Sequence, residues 1–435
     1  MISLLRQLYP LNRHLVGNDN EKALQMIKME LGDLIIHKYP TGMQCWTWRI
    51  PEKWEITSSY IECENGQRFG EFEKHPLHVV TYSLPVDKTV LREELDLHLH
   101  TNEKQPDAIP YVTKYYERDW GFCLAKKDID QLSGKNFKVF IDAMHVPGEL
   151  LVGEYTIQGE SDQIVIVVTN ICHPAQVNDS ISGVVTAVDL IKMLKKGSLH
   201  YTYKFLFLPE TIGSVAWMSQ NESLIPRIYC GLFFEMLGND NDHLLQHSFE
   251  GNTKIDKIAL HVLGQKTENF RATEFRKGPA SDEMIFDGPG INKPMINLSR
   301  FPYPEYHTSM DSPEIINEEN LKESRDILCD IILILDRDRI PVPKFKGPVF
   351  LSGYGMWIHW EENRCKNSTI PVNEDNAYLC NIALDYIMIL INGYRSIFEI
   401  YNALKEKSNF PVELDFVYNF IKQLELHHLV EWREY

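Results

Sequence analysis

QIVIVVTNICHPAQVNDSISGVVTAVDLIKMLKKG, residues 163–197, decides the fold of this chain. It opens as an apolar, β-branched run with no polar face, the signature of a strand buried on both sides. It closes as SISGVVTAVDLIKMLKKG, where Val184, Val188 and Ile191 share one helical face. Between them is a loop with His173 before a proline, then Asn178-Asp179, then Gly183, which allows a close backbone approach.

The same grammar continues on either side. LLVGEYTI (150–157), KFLFLPE (204–210), CGLFFEM (230–236), IDKIALHVL (255–263) and PMINLS (294–299) read as further strands, and KVFIDA (138–143) as the first of the series. Apolar strands alternating with helices predict an α/β fold, a mostly parallel central sheet flanked by helices. In such sheets reactive groups gather at the carboxyl ends of the strands, where this chain repeatedly places polar residues.

Upstream, NEKALQMIKMELGDLIIH (20–37) predicts an amphipathic helix, with Ala23, Ile27, Leu31 and Leu34 at helical spacing. CWTWRI (45–50), SYIEC (59–63), HVVTYSL (78–84) and YVTKYY (111–116) then mark a small β-rich domain over 38–130, with brief helical character at 89–100. Downstream, the Pro-rich stretch PVPKFKGPVF (341–350) is a boundary. Helices in 376–393, in 396–407 and within 414–435, the last with a short strand-like tail, outline a winged helix-turn-helix over 345–435. The α/β domain then comprises 1–37 and 131–340.

The 61 acidic and 44 basic residues leave a net charge of -17, which repels nucleic acid and anionic lipid. Acidic side chains also outnumber basic ones from residue 344 onward, against DNA binding by the terminal helices. No apolar window reaches the roughly 18 residues of a membrane span, and the start reads as no signal peptide. The eight cysteines (45, 63, 123, 172, 230, 329, 365 and 380) lack CxxC spacing and fit free thiols in a reducing cytoplasm.

Five places can carry chemistry. His173 and Asp179 suit a metal, yet Asp179 or Ser180 serves equally as a helix N-cap. Glu210 at a strand end suits a general base, or a carboxylate stabilised by the helix macrodipole. Glu235 ends another buried strand, where a carboxylate needs a partner or a cation. Asp282 sits in a Gly/Pro-rich loop, and His307, with Glu305 and Asp311 nearby, in an aromatic, Pro-braced one.

Taken in order, HP…NDSxSG, PETIGS, FFEMLGN, SDE and YHTSMDSPE resemble the core of the co-catalytic zinc exopeptidases, the zinc aminopeptidases and glutaminyl-cyclase-like enzymes. End to end, the chain resembles a bacterial aminopeptidase-like family met beside polysaccharide-biosynthesis genes. That family has a β-rich insertion after its first helix and a C-terminal winged helix. WGFC (120–123), ICHP (171–174), PETIGS (209–214) and EYHTS (305–309) carry the resemblance most specifically.

The resemblance implies Zn2+, one or two ions, held by His173, Asp179, Glu235 and His307, with Asp179 able to bridge two. It makes Glu210 the base that activates the attacking water, in hydrolysis of a small peptide or amide. Asp282 and Glu305 become groups near the substrate, either of which can receive its α-amine. One departure stands out: where these enzymes have a second glutamate, this chain has Thr211, whose hydroxyl is a poor zinc ligand. The alternative is a non-catalytic or weakly active metal-binding scaffold with the same fold, docking a protein partner or a second copy through the winged helix or the inserted domain.

Overall fold

The computed structural model describes residues 1–358, 377–407 and 410–433. Residues Met1–Cys329 form one compact unit and Asp330–Tyr435 a second.

The first unit is built on an eight-stranded sheet. In chain order its strands are β1 (Ile35–Pro40), β2 (Glu149–Ile157), β3 (Ile164–Asn170), β4 (Thr202–Leu208), β5 (Ile228–Phe234), β6 (His243–Gln246), β7 (Phe270–Thr273) and β8 (Met295–Ser299). They lie in the order β1-β2-β4-β3-β5-β8-β6-β7. The middle four are mutually parallel, β2 runs antiparallel to β4, and β6 runs antiparallel to β8. Every residue of β3 is buried, as its unbroken apolar run requires. Full burial of each Val or Ile side chain there contributes about 1.5–3 kcal/mol.

Helix α1 (Asn18–Leu31) buries Ala23, Leu24, Ile27 and Leu31. It stops earlier than its apolar spacing predicts, because Gly32 adopts a positive φ of 86° and Ile35–His37 join β1. Helix α2 (Gly183–Leu194) follows β3 through an irregular turn, Val177–Ser182. A Cβ on Gly183 would meet Thr169 Oγ1 at 2.4 Å and the Phe234 carbonyl oxygen at 2.8 Å. This glycine therefore lets helix α2 approach β3 and β5. Helix α3 (Ile212–Ser219) leaves the end of β4, and a further helix spans Glu318–Arg337.

Two strand assignments need correction. IDKIALHVL is not a strand but the body of helix α4 (Lys254–Lys266). Thr253 and Asp256 close a reciprocal capping box, and Ile255, Ile258, Ala259, Val262 and Leu263 fall on one buried face. KVFIDA is a strand but lies outside the large sheet. Within Asn136–Val146 it pairs antiparallel with Lys53–Cys63 on one side and Val86–Leu91 on the other. Arg68–Phe69 completes this four-stranded sheet, so the β-rich region recruits chain well beyond residue 130.

In the second unit, helices Ala377–Leu390, Ile397–Lys407 and Leu414–Leu426 accompany an antiparallel pair, Ile340–Pro343 with Val430–Arg433. Residues 359–376 of this region, with Cys365 among them, lie outside the described residues, as do 408–409 and 434–435. Cys45, Cys63, Cys123, Cys172 and Cys230 are buried free thiols, and Cys329 and Cys380 are also buried. Among the described residues no helix is long and apolar enough to cross a membrane.

Candidate metal centre

Four parallel strands end at the same edge of the sheet, and each is followed by a residue of interest. His173 lies three residues beyond β3, Glu210 two beyond β4, Glu235 directly after β5, and His307 in the loop after β8. Parallel pairing brings together side chains separated by more than 130 positions.

His173 Nδ1 lies 4.0 Å from Asp179 Oδ1, and His307 Nε2 lies 3.1 Å from Asp179 Oδ2. The imidazoles of His173 and His307 stack with centroids 5.4 Å apart. One ligand atom from each of His173, Asp179 and His307 falls within 4.8 Å of the others. Bonds of about 2.0–2.1 Å in a tetrahedron place ligand atoms about 3.3 Å apart, a spacing these three bracket. His307 Nε2 is buried and makes no hydrogen bond despite facing a carboxylate, as befits an atom aimed at a shared cation. Glu235 makes the same demand: it is 4% exposed, and no hydrogen bond or ion pair partners its carboxylate among the described residues. Burial and the charges of Asp179, Glu210 and Asp282 push its pKa well up. A cation is the economical way to hold so many acids together.

Glu210 Oε2 stands 3.5 Å from His173 Nε2, and a second close group joins Cys172, His173 and Glu210. Burial, then Asp282 and Asp179, push the Glu210 carboxyl up to about 8. About a third of its side-chain surface remains open, so it can meet both solvent and substrate. The Ser281 hydroxyl donates to Glu210 Oε1 at 3.3 Å and is itself reached by Asn170 Nδ2 at 3.1 Å. Asp282 accepts the Thr211 N–H at 3.1 Å. Burial raises its pKa to about 6, and it acts through the turn that carries Glu210. Thr211 occupies a tight γ-turn with φ 61° and ψ −67°, closed by the Ile212 N–H to Glu210 carbonyl bond at 2.7 Å. Glu305 is half-buried, and among the described residues its carboxylate makes no hydrogen bond or ion pair.

Backbone strain concentrates here. His173, Ala175, Thr211, Met236 and His307 all have positive φ without being glycine. Such residues persist only where their surroundings over-determine them, and they cluster at functional sites. Two of the over-determining groups escaped the sequence reading. Arg13, 1% exposed, donates to the carbonyls of Ile171 (2.8 Å), Cys172 (3.1 Å), His173 (3.0 Å) and Gln176 (3.4 Å). Burial lowers its pKa to about 10, so it stays charged. Asp311, noted in the sequence only as a neighbour of His307, accepts the N–H groups of Val177 (3.1 Å), Asn178 (2.7 Å) and Asp179 (3.1 Å) and the Tyr303 hydroxyl (2.7 Å). The Arg13 fork and the Asp311 carboxyl thus grip the two halves of one loop.

Residues 2–338 match the family described as a domain of unknown function, DUF4910. Over 339 residues, 78% of either chain, the protein is 34% identical to a Clostridium acetobutylicum protein named "Putative polysaccharide biosynthesis protein with aminopeptidase-like domain". The chain belongs to this aminopeptidase-like family. A crystal structure described as a "putative peptidase" from Clostridium acetobutylicum is 30% identical and superposes with a TM-score of 0.85 over 99% of this chain and 96% of that one. The zinc aminopeptidase of Bacillus subtilis, 15% identical, superposes with a TM-score of 0.58 over 77% of this chain and 93% of its own, a likeness of fold alone. The family's large sheet, with helices on both sides, is thus a zinc-aminopeptidase-like fold.

Proposed function

We propose that this protein is a zinc-dependent hydrolase of the aminopeptidase type, holding one Zn2+ through His173, Asp179 and His307. The observation that carries this reading is the convergence of these three ligand atoms within 4.8 Å beside an elevated Glu210. Glu235 supplies the adjoining negative charge. A single ion follows from Thr211, which leaves the second position without its carboxylate. When bound, the ion supplies Lewis acidity, polarising a carbonyl and acidifying water.

Glu210 acts as general base: it takes a proton from the attacking water and returns it to the leaving amine. A pKa near the operating pH suits both transfers. Ser281 holds Glu210 Oε1, and Oε2 faces the metal side beside His173 Nε2. Asp282 keeps the Thr211 turn in place, and Glu305 is available to a substrate ammonium. The substrate class is a small peptide or amide, and the polysaccharide link in the relative's name makes N-acylated sugars part of the trial set.

A panel of aminoacyl amides and N-acylated sugars, assayed with zinc, cobalt and manganese, tests this against Glu210→Gln. The account requires the variant to lose turnover and keep its zinc. Equal rates overturn it. The scaffold reading is favoured by Thr211, and it predicts stoichiometric zinc with no turnover on any member of the panel.

We further infer a cytoplasmic protein whose β-rich region, 38–130 with the added strand to Val146, and terminal region, 345–435, are appendages to the hydrolase domain. The terminal helices and paired strands support a winged helix-turn-helix. Their acidic excess favours a protein partner or a second copy over DNA.

A further inference from the structure

The two ligand loops are held together by chain from the β-rich region. Pro110 bridges Thr308 in antiparallel fashion. The Tyr111 N–H donates to the His307 carbonyl at 2.8 Å, and the Ser309 N–H to the Ile109 carbonyl at 2.8 Å. The Ile109 N–H reaches Ser309 Oγ at 3.0 Å. From this strap the Tyr111 ring presents a face or edge to both imidazoles, with centroids 5.1 Å from His173 and 5.2 Å from His307. It also packs on Ala175, in the His173 loop.

Metal-binding histidines are ordinarily oriented by a hydrogen bond at the second ring nitrogen. His307 lacks one: its Nε2 faces Asp179 Oδ2 at 3.1 Å, and its Nδ1 makes no hydrogen bond among the described residues. What fixes its plane is packing, with Tyr306 stacked at 3.9 Å on one side and Tyr111 at 87° on another. The Tyr111 hydroxyl is tied in turn to the Tyr115 hydroxyl at 3.0 Å, anchoring the ring in the β-rich region.

We propose that Tyr111 is a positioning residue of the metal centre, which makes the β-rich region a working part of that centre. The inference rests on the reading of His173, Asp179 and His307 as zinc ligands. The aromatic ring, rather than its hydroxyl, does the positioning, since it is the ring that meets both imidazoles.

The test compares full-length wild type with Tyr111→Phe and Tyr111→Leu by zinc titration calorimetry and by the visible spectrum of the cobalt-loaded protein. Tyr111→Phe keeps the ring, so its zinc affinity stays within about twofold and its cobalt spectrum is unchanged. Tyr111→Leu lowers zinc affinity about 10- to 100-fold, the range for groups that orient ligands, and alters the cobalt bands. Wild-type affinity and spectrum in a folded Tyr111→Leu overturn the proposal. Tyr111→Met, whose flexible chain fills the vacated space, is held to the same outcomes where the leucine variant does not fold. Zinc uptake by wild type with an unaffected Tyr111→Leu sinks this inference alone, whereas wild type that takes up no zinc sinks the proposed function as well.

Discussion

Replacing Arg13 by lysine keeps the charge near the cation site and removes only the fork. The guanidinium spreads its donors over two nitrogens: one serves the carbonyls of Ile171 and Cys172, the other those of His173 and Gln176. A lysine ammonium donates from a single point and cannot span both pairs. At least one carbonyl is therefore left without its donor. Leaving such a buried acceptor unpaired costs about 1–3 kcal/mol, the destabilisation expected of the variant. In a unit this large that lowers the melting temperature by only a few degrees, roughly 2–4 °C per kcal/mol at most. The effect on the metal is larger, because these carbonyls set the path of the loop that carries His173. Zinc affinity falls about 10-fold or more, the usual consequence of loosening ligand support. Scanning fluorimetry and zinc calorimetry on the same preparations measure the two effects. Arg13→Lys with unchanged melting temperature and zinc affinity would refute the claim that the fork preorganises the loop.

Glu210→Gln should lower turnover about 10²- to 10⁴-fold, the span of general-base catalysis, with zinc affinity within a few-fold of wild type, read from steady-state rates and calorimetry. Thr211→Glu should raise the zinc content from one toward two ions per chain in elemental analysis, because it supplies the missing carboxylate. Glu154, buried on β2, accepts from His37 Nε2 and Trp217 Nε1 at 2.9 Å each and pairs with Lys204. Burial opposes its ionisation, but these partners outweigh it and hold its pKa below the carboxylate range. Its stabilisation is therefore complete above the unfolded value of about 4.3 and fades as pH falls toward the lower folded one. The gap in melting temperature between wild type and Glu154→Gln should accordingly be steady near pH 7 and shrink below about pH 4.5; a gap that grows on acidification would reverse the sign assigned to this carboxylate. Gly183→Ala should be strongly destabilising in chemical unfolding, since its Cβ meets backbone at 2.8 Å.

Sequence pattern located what local physics controls. The wholly buried β3, helix α2 and the strand ends carrying Glu210 and Glu235 were legible because apolar periodicity and burial coincide there. Helix α4 reads as a strand because its Ile, Val and Leu content mimics one; the Thr253-Asp256 box is the signal that marks it as a helix. The 138–143 strand is legible as a strand but not its partners, since alternation marks a strand without naming its neighbour. Arg13 and Tyr111 left no local signature. Arg13 acts on carbonyls about 160 positions away, and Tyr111 sat in a run that read simply as β-rich. Thr211 stands out in the sequence only through the resemblance, as a departure from the paired glutamates of the zinc exopeptidases, while its γ-turn is visible only with the backbone in place.

The central claim is a single ion among His173, Asp179 and His307. Anomalous scattering across the zinc edge, from crystals of protein purified without chelators, tests it most directly. The account predicts one peak within bonding distance of His173, Asp179 and His307. Two peaks there, or none in zinc-soaked crystals, would contradict it.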